Sequence, residues 1–395
     1  MKKGIFVLVC CILLLATSCY TSYVIPPRNA ATDTAAQPAA QQIDISVIDS
    51  WSTLKAAVES TKDKAEYAIS ADLVADAETG TITIPYGMNV TITDDGTPRT
   101  VSRGTLTTEL FNVEDGASLT LKGTAAGSLV LDGKDAEALS AGVVSAGSFT
   151  AENVVFRSFR NSADSGAVLI SLGSGTFTGC TFDSNTANAG AAINTITKTG
   201  STLTITGCSF TNNTATTNGA AINGMNNTTI KLSDSQFTGN KTTATAKNKG
   251  GAALYMAVTQ SDIRNCTFTD NVVKGVQDGS LTGGAILYYC VGSSDTVNTI
   301  DGCTFSGNGG VVYGGAIGIG DNGKERTKDG VIEITNCTFN GNSAQYGTGL
   351  TSRYDLNMVA VRPTVKGCTF NSDTAWFVKK ATLVWEGNNI EPIYQ

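Results

Sequence analysis

The sequence predicts an all-β chain wound as a right-handed parallel β-helix, with a short helix capping its N-terminal end. Three observations carry this. A unit of the form Cys-x-Phe-x-x-Asn recurs, with its aromatic at Phe182, Phe210, Phe237, Phe268, Phe305, Phe339 and Phe370. Each copy is followed by a small-residue patch such as Ala189-Gly-Ala-Ala-Ile193 or Gly283-Gly-Ala-Ile286. The segments between are short, β-prone and alternating, as in 202–206 (TLTIT), 229–232 (TIKL) and 331–335 (VIEIT). Alternation with period two marks strands with one buried face.

The spacing between successive phenylalanines, counted from a worn copy at Phe156, is 26, 28, 27, 31, 37, 34 and 31 residues. Three short strands and three turns fill such a unit. Stacking the coils ~4.8 Å apart sets the same residue of each copy over its neighbour. Phe then forms an inward aromatic column, each ring worth roughly 1.5–3 kcal/mol of burial. Asn185, Asn213, Asn240, Asn271, Asn308 and Asn342 are expected to take the left-handed conformation at a turn and to form an amide ladder. Cys180, Cys208, Cys266, Cys303, Cys337 and Cys368 stand two residues before Phe, share its face and form a second inward column, with Ser235 in the Cys place of one copy. An α-solenoid needs amphipathic runs that are missing here, and Thr, Gly and Asn are poor helix formers. A propeller blade needs about 40–50 residues, more than this unit has.

Residues 1–18 read as an export signal. Lys2 and Lys3 precede a 13-residue apolar run at 4–16, too short to span a bilayer, and small residues lead into Cys19. The arrangement resembles a bacterial lipoprotein signal, which implies a diacylated Cys19 and attachment to a membrane through lipid. At ~0.8 kcal/mol per buried methylene, two acyl chains hold a protein firmly on a bilayer. Residues 19–43 are rich in Ala, Pro, Gln and Thr without periodicity and read as a flexible tether. Residues 44–150 hold the capping helix and the first coils, and 151–395 the repeats with a C-terminal cap. Trp51, Leu54, Val58 and Ala65 mark a helical stripe, with Ser50 or Ser52 as N-cap. The last strand is expected at 382–385, with 386–395 as tail.

The chain has no His and a formal charge of −7. The first excludes Ser-His-Asp and Cys-His catalysis, HExxH proteases and His-ligated zinc. The second disfavours nucleic acid as a partner. No residue cluster calls for a metal or another cofactor. The odd thiol count after Cys19, with Cys290 as the seventh, and the parallel projection of stacked side chains favour a reduced Cys column. Candidate catalytic acids are Asp94, Asp95, Asp132, Asp135, Asp183 and Asp270. All read as turn residues, so the chain is read as a non-enzyme. The Thr-rich strands lack a regular Thr-x-Thr column, which disfavours a flat array that binds ice or glycan.

Turn insertions at 241–249, 272–282 and 318–330 carry Lys241, Lys247, Lys249, Lys274, Lys324, Arg326 and Lys328. If they leave equivalent corners, they form one polar, partly basic recognition surface on an acidic body.

The alternation of Phe-x-x-Asn with Gly-Gly-Ala-Ile over residues 150–375 resembles the polymorphic outer membrane protein repeat family. The resemblance implies a pectin-lyase-like right-handed β-helix at the cell surface, used in adhesion or as a variable antigen. Members commonly continue into a translocator β-barrel. Here the lipid at Cys19 is expected to take its place. The protein is thus expected to be an outer-membrane lipoprotein exposed at the cell surface, with the periplasmic face as the alternative. It would bind a host protein or glycan through its turn loops. A polysaccharide-degrading or polysaccharide-binding β-helix and a purely structural envelope protein are the competing functions. Nothing in the sequence sets the oligomeric state.

Overall fold

The computed structural model describes residues 47–395 apart from 197–199, 226–227, 245–248, 258, 275–282, 290–296, 312–313, 321–330, 347–349, 353–355, 360–361, 372–376, 380–383, 392 and 395. Cys19, the signal, the tether and Cys290 lie outside the described residues. The described chain is an all-β, right-handed parallel solenoid with one helix near its N-terminal end. Its strands stack into three long parallel sheets. Sheet A has 12 strands, from Lys64–Ile69 to Val384–Glu386; sheet B has 11, from Leu73–Ala75 to Thr369–Phe370; sheet C has 12, from Ile82–Ile84 to Ile393–Tyr394. Each coil runs A to B to C and climbs one rung. A fourth sheet, D, of five two- to five-residue strands from Arg160–Asn161 to Val272–Val273, lies between B and C in the middle coils. The repeat alone does not announce it.

The repeat residues sit in register. Phe156 pairs with Phe182, then Phe210, Phe237, Phe268, Phe305, Phe339 and Phe370. Their rings stack face to face, with centroids 4.6 to 5.1 Å apart and planes within 9°. Each pair adds ~0.5–1.5 kcal/mol beyond burial. Trp385 closes the stack over Phe370 at 5.6 Å.

The six asparagines are fully buried and form a continuous ladder. In each step the upper Asn accepts from both the backbone N–H and the Nδ2 of the lower one, as Asn240 Oδ1 does from Asn213 (3.1 and 3.0 Å). Its own Nδ2 donates to the carbonyl of the Phe one coil below, Asn240 to Phe210 at 2.9 Å. The expected left-handed conformation, however, belongs to the residue before each Asn: Ser184, Asn212, Gly239, Asp270, Gly307 and Gly341. That residue turns the corner, so the Asn keeps its N–H aimed along the solenoid axis and can join the ladder. A matching left-handed residue precedes each Cys position, from Gly179 and Gly207 to Asn336 and Gly367. Strand B is therefore bracketed by two sharp corners. The Gly-Gly-Ala patch is a place of close approach: a β-carbon on Gly284 would stand 2.0 Å from the Gly315 carbonyl oxygen.

The helix Trp51–Ser60 is capped by Ser50, whose hydroxyl accepts from Thr53 N while the Thr53 hydroxyl accepts from Ser50 N. Trp51, Leu54, Ala57 and Val58 are its buried face. Ala65 does not continue the stripe; it lies in the first strand of sheet A, because the chain leaves the helix at Thr61 in extended conformation. The expected last strand at 382–385 is described from Val384, as Val384–Glu386, which ends sheet A, and the expected tail holds a further strand, Ile393–Tyr394, which ends sheet C. Between them Asn388 and Asn389 close the ladders, accepting from Cys368 N and Phe370 N, both at 2.8 Å.

Candidate binding surface

The six described thiols are unpaired and buried. They also do more than fill space. Cys208 Sγ accepts from Cys180 N (3.3 Å), and Cys303 Sγ from Cys266 N (3.4 Å). Ser235 Oγ does the same for Cys208 N (3.0 Å). The position requires an acceptor for a corner N–H, which is why Ser replaces Cys there. The hydrogen bond with Cys208 and burial push the Cys180 thiol up, so it stays protonated. Among the described residues no group of His, Cys, Asp or Glu is arranged to hold a metal ion.

Four of the candidate acids are tied to local partners in the first coils. Asp94 is buried and accepts from the Ser128 and Thr124 hydroxyls and from Thr124 N and Gly96 N. Burial pushes its carboxyl up, but these bonds outweigh it and hold it below the usual range. Asp95 pairs with Arg99, Asp132 with Arg157 and Lys134, and Asp135 with Arg160. Asp183 and Asp270 stand three coils apart on sheet B, ~14 Å at the rung spacing, too far for paired carboxylate chemistry. The outward residues beside the Phe column form partial hydroxyl columns, Thr267, Thr304, Thr338 and Thr369 in one, and Thr211, Thr238 and Thr269 in the other. Gln236 and Asp183 interrupt them.

The three insertions do not share a corner. Segments 243–253 and 274–285 link sheet D to sheet C, whereas 290–296 and 321–330 link sheet C to sheet A. Lengthened turns therefore lie on both edges of sheet C, and the strand Ile286–Tyr289 has one on each side. Lys241 sits in a strand of sheet D rather than in a loop, because that sheet extends into the start of the insertion. Likewise Val272–Val273 and Ile317–Gly320 are strands. Lys249 is half-buried, and burial holds its ammonium below the ordinary lysine range. Lys274 is exposed. Lys247, Lys324, Arg326 and Lys328 lie outside the described residues.

Between the two bordered edges, the outward face of sheet C changes character. Along one outward column the register runs Leu169, Asn194, Asn223, Tyr255, Leu287 and Gly318. The Asn pair continues a polar chain: Asn194 Nδ2 donates to Ser165 Oγ, and Asn223 Nδ2 to Asn194 Oδ1, both at 2.8 Å. Asn223 Oδ1 is buried and has no partner. Beyond it the outward residues turn apolar and are buried: Tyr255 is 4%, Ala257 6% and Leu287 0% exposed. Tyr255, Ala257 and Leu287 form a cluster separate from the main core, with Met225 and Tyr289 packed on it and the rings of Tyr255 and Tyr289 6.2 Å apart. The repeat motif does not single out these residues. The signal was available in the strands 254–257 (LYMA) and 286–289 (ILYY), which are apolar throughout where other strands alternate, as expected when both faces are covered.

A family model described as right handed beta helix region matches residues 141–324. No curated protein and no solved structure matches the chain. This fold occurs in both enzymes and non-enzymes.

Proposed function

We propose that the protein is a lipid-anchored cell-envelope scaffold, held by Cys19, that acts as a surface adhesin or antigen and engages a host protein or glycan through sheet C and its bordering turns. The observation that carries this reading is that lengthened turns enter sheet C at Leu254–Ala257 and Ile286–Tyr289 and leave it at Ile286–Tyr289 and Ile317–Gly320, around an apolar cluster outside the main core in which Tyr255 and Leu287 are buried and Tyr289 is partly exposed. Function placed on turns over a rigid ladder is the usual division of labour between loops and scaffold. The ladders supply rigidity, the tether supplies reach, and the lipid supplies address.

The test has two steps. Protease shaving of intact cells, read by immunoblot against a periplasmic control, should remove the protein. A variant with 243–249 and 275–282 replaced by short turns should keep its far-ultraviolet circular dichroism and lose binding to host cells. Full protection from protease, or undiminished binding by the shortened variant, would refute the adhesin reading.

A further inference from the structure

A second feature lies in the first coils, mostly ahead of residues 141–324 and independent of sheet C. Along the strand Arg99–Arg103 of sheet B lies a groove of about 460 Å³ whose lining includes Asp72, Thr100, Ser102, Arg103, Lys134 and Arg157. Three cations thus meet one carboxylate in the lining. Asp132 stands beside them and is shared: its Oδ2 lies 2.9 Å from Arg157 Nη2 and 3.3 Å from Lys134 Nζ. Among the lining and Asp132 the cations outnumber the carboxylates by one, and Glu109 is near enough to Arg103 to act on it.

The third cation is unusual. Arg103 is 2% exposed. Its Nη2 donates to the Ala141 carbonyl at 3.1 Å, and its guanidinium lies 5.5 Å from the centre of the Phe159 ring. Its Nε and Nη1 have no hydrogen-bond partner. Burial lowers its pKa to about 10, and Glu109 offsets this only in part, so it remains charged at neutral pH. A buried guanidinium with two idle donors is costly unless a counter-charge is supplied. On a chain that is acidic as a whole, it places a local positive field beneath the groove.

The mouth of the groove is held by a costly turn. Lys134 and Asp135 are both non-glycine residues in the left-handed region (φ 58° and 54°), fixed by Lys134 N donating to Asp132 Oδ1 at 2.8 Å. This keeps Lys134 beside Arg157, and both side chains are about half exposed (53% and 45%). Thr100 supplies a hydroxyl between the cations and Asp72, whose carboxylate accepts from Thr100 N at 2.8 Å.

We propose that this groove binds a sugar-sized polar molecule carrying one oxyanion, a carboxylate or a sulfate ester. Lys134 and Arg157 take the anion directly. Arg103 supplies the unbalanced charge from below without touching the ligand. Thr100 and Asp72 meet its hydroxyls. Arg157 Nε and Nη2 already hold Asp132 Oδ2, so its Nη1 edge beside the Lys134 point charge meets either oxyanion.

Isothermal titration of the full chain with D-glucose 6-sulfate, D-glucuronate and neutral glucose tests the proposal. At least one of the two anions should bind saturably and weaken as salt is raised. Glucose should not bind. Lys134→Gln and Arg157→Gln should each weaken binding by roughly tenfold, the loss of one charge-assisted contact. Arg157→Gln also removes a partner of Asp132, so its thermal melt is compared with that of Arg157→Lys. Lys134→Gln also removes a partner of Asp132, at a half-exposed site, so its thermal melt is measured in the same way. Preference for the sulfate or for the carboxylate identifies which oxyanion the groove takes. The proposal is overturned if neither anion binds, if glucose binds as well, or if folded Lys134→Gln binds unchanged.

Discussion

Replacing Asn240 by Ala removes one rung of the buried amide ladder, and the cost can be worked from the bonds. Four go: Asn213 N and Asn213 Nδ2 to Asn240 Oδ1, Asn240 Nδ2 to Phe210 O, and Asn240 Nδ2 to Asn271 Oδ1. Asn271 Oδ1 keeps its bond from Asn240 N, while Asn213 N is left as a buried orphan donor. At ~0.5–1.5 kcal/mol net per bond the loss is about 4 kcal/mol. Asn188, whose exposed amide donates to the Ala163 carbonyl, is the control, with an expected cost of ~0.5 kcal/mol or less for Asn188→Ala. Because each coil touches only its neighbours, the damage should be local. Urea unfolding gives the total, and hydrogen exchange gives the place: peptides covering 209–215, 236–242 and 267–273 should lose protection, and those covering 64–122 should not. Asn240→Asp sharpens the test. It keeps the acceptor for Asn213 but turns lone pairs toward Phe210 O and Asn271 Oδ1, so it should be no less damaging at neutral pH and partly relieved in acid. If Asn240→Ala costs no more than Asn188→Ala, the ladder is ornament and the Phe stack alone holds the coils.

Two further predictions follow from single bonds. Cys208→Ser should change the urea midpoint by less than ~1 kcal/mol, since Ser235 already performs the same task one coil on, whereas Cys208→Ala strands Cys180 N and should cost ~1–3 kcal/mol; equal effects would show that the column works by volume. Asp94 has a depressed folded-state pKa, so its contribution is present above the unfolded value of ~3.9 and is lost as pH falls through the folded value. Stability should therefore decline below about pH 4, and Asp94→Asn, less stable at neutral pH, should show a shallower decline; an unchanged acid slope would place the loss at other carboxylates.

What could be read from the sequence and what could not divide along a physical line. The Phe, Asn and Cys columns were legible because a stacked coil asks the same task of the same position every time, and a repeated task leaves a repeated letter. The left-handed corner before each Asn was not, because Ser184, Asn212, Gly239 and Asp270 meet one backbone requirement with four residue types. Sheet D and the two corners used by the insertions were hidden for a related reason, since connection length does not say which sheet follows. Arg103 and Tyr255 occur once each at their columns, and Leu287 shares its letter only with Leu169 four coils away, so no regular repeat marks them. In a solenoid the repeating residues report packing, and whatever distinguishes one coil from the next is free to serve a partner. The irregular residues on the regular ladder, the outward aromatics of sheet C and the uncompensated guanidinium under sheet B, are therefore where binding is to be sought, and a substitution there should alter recognition while leaving the ladders standing.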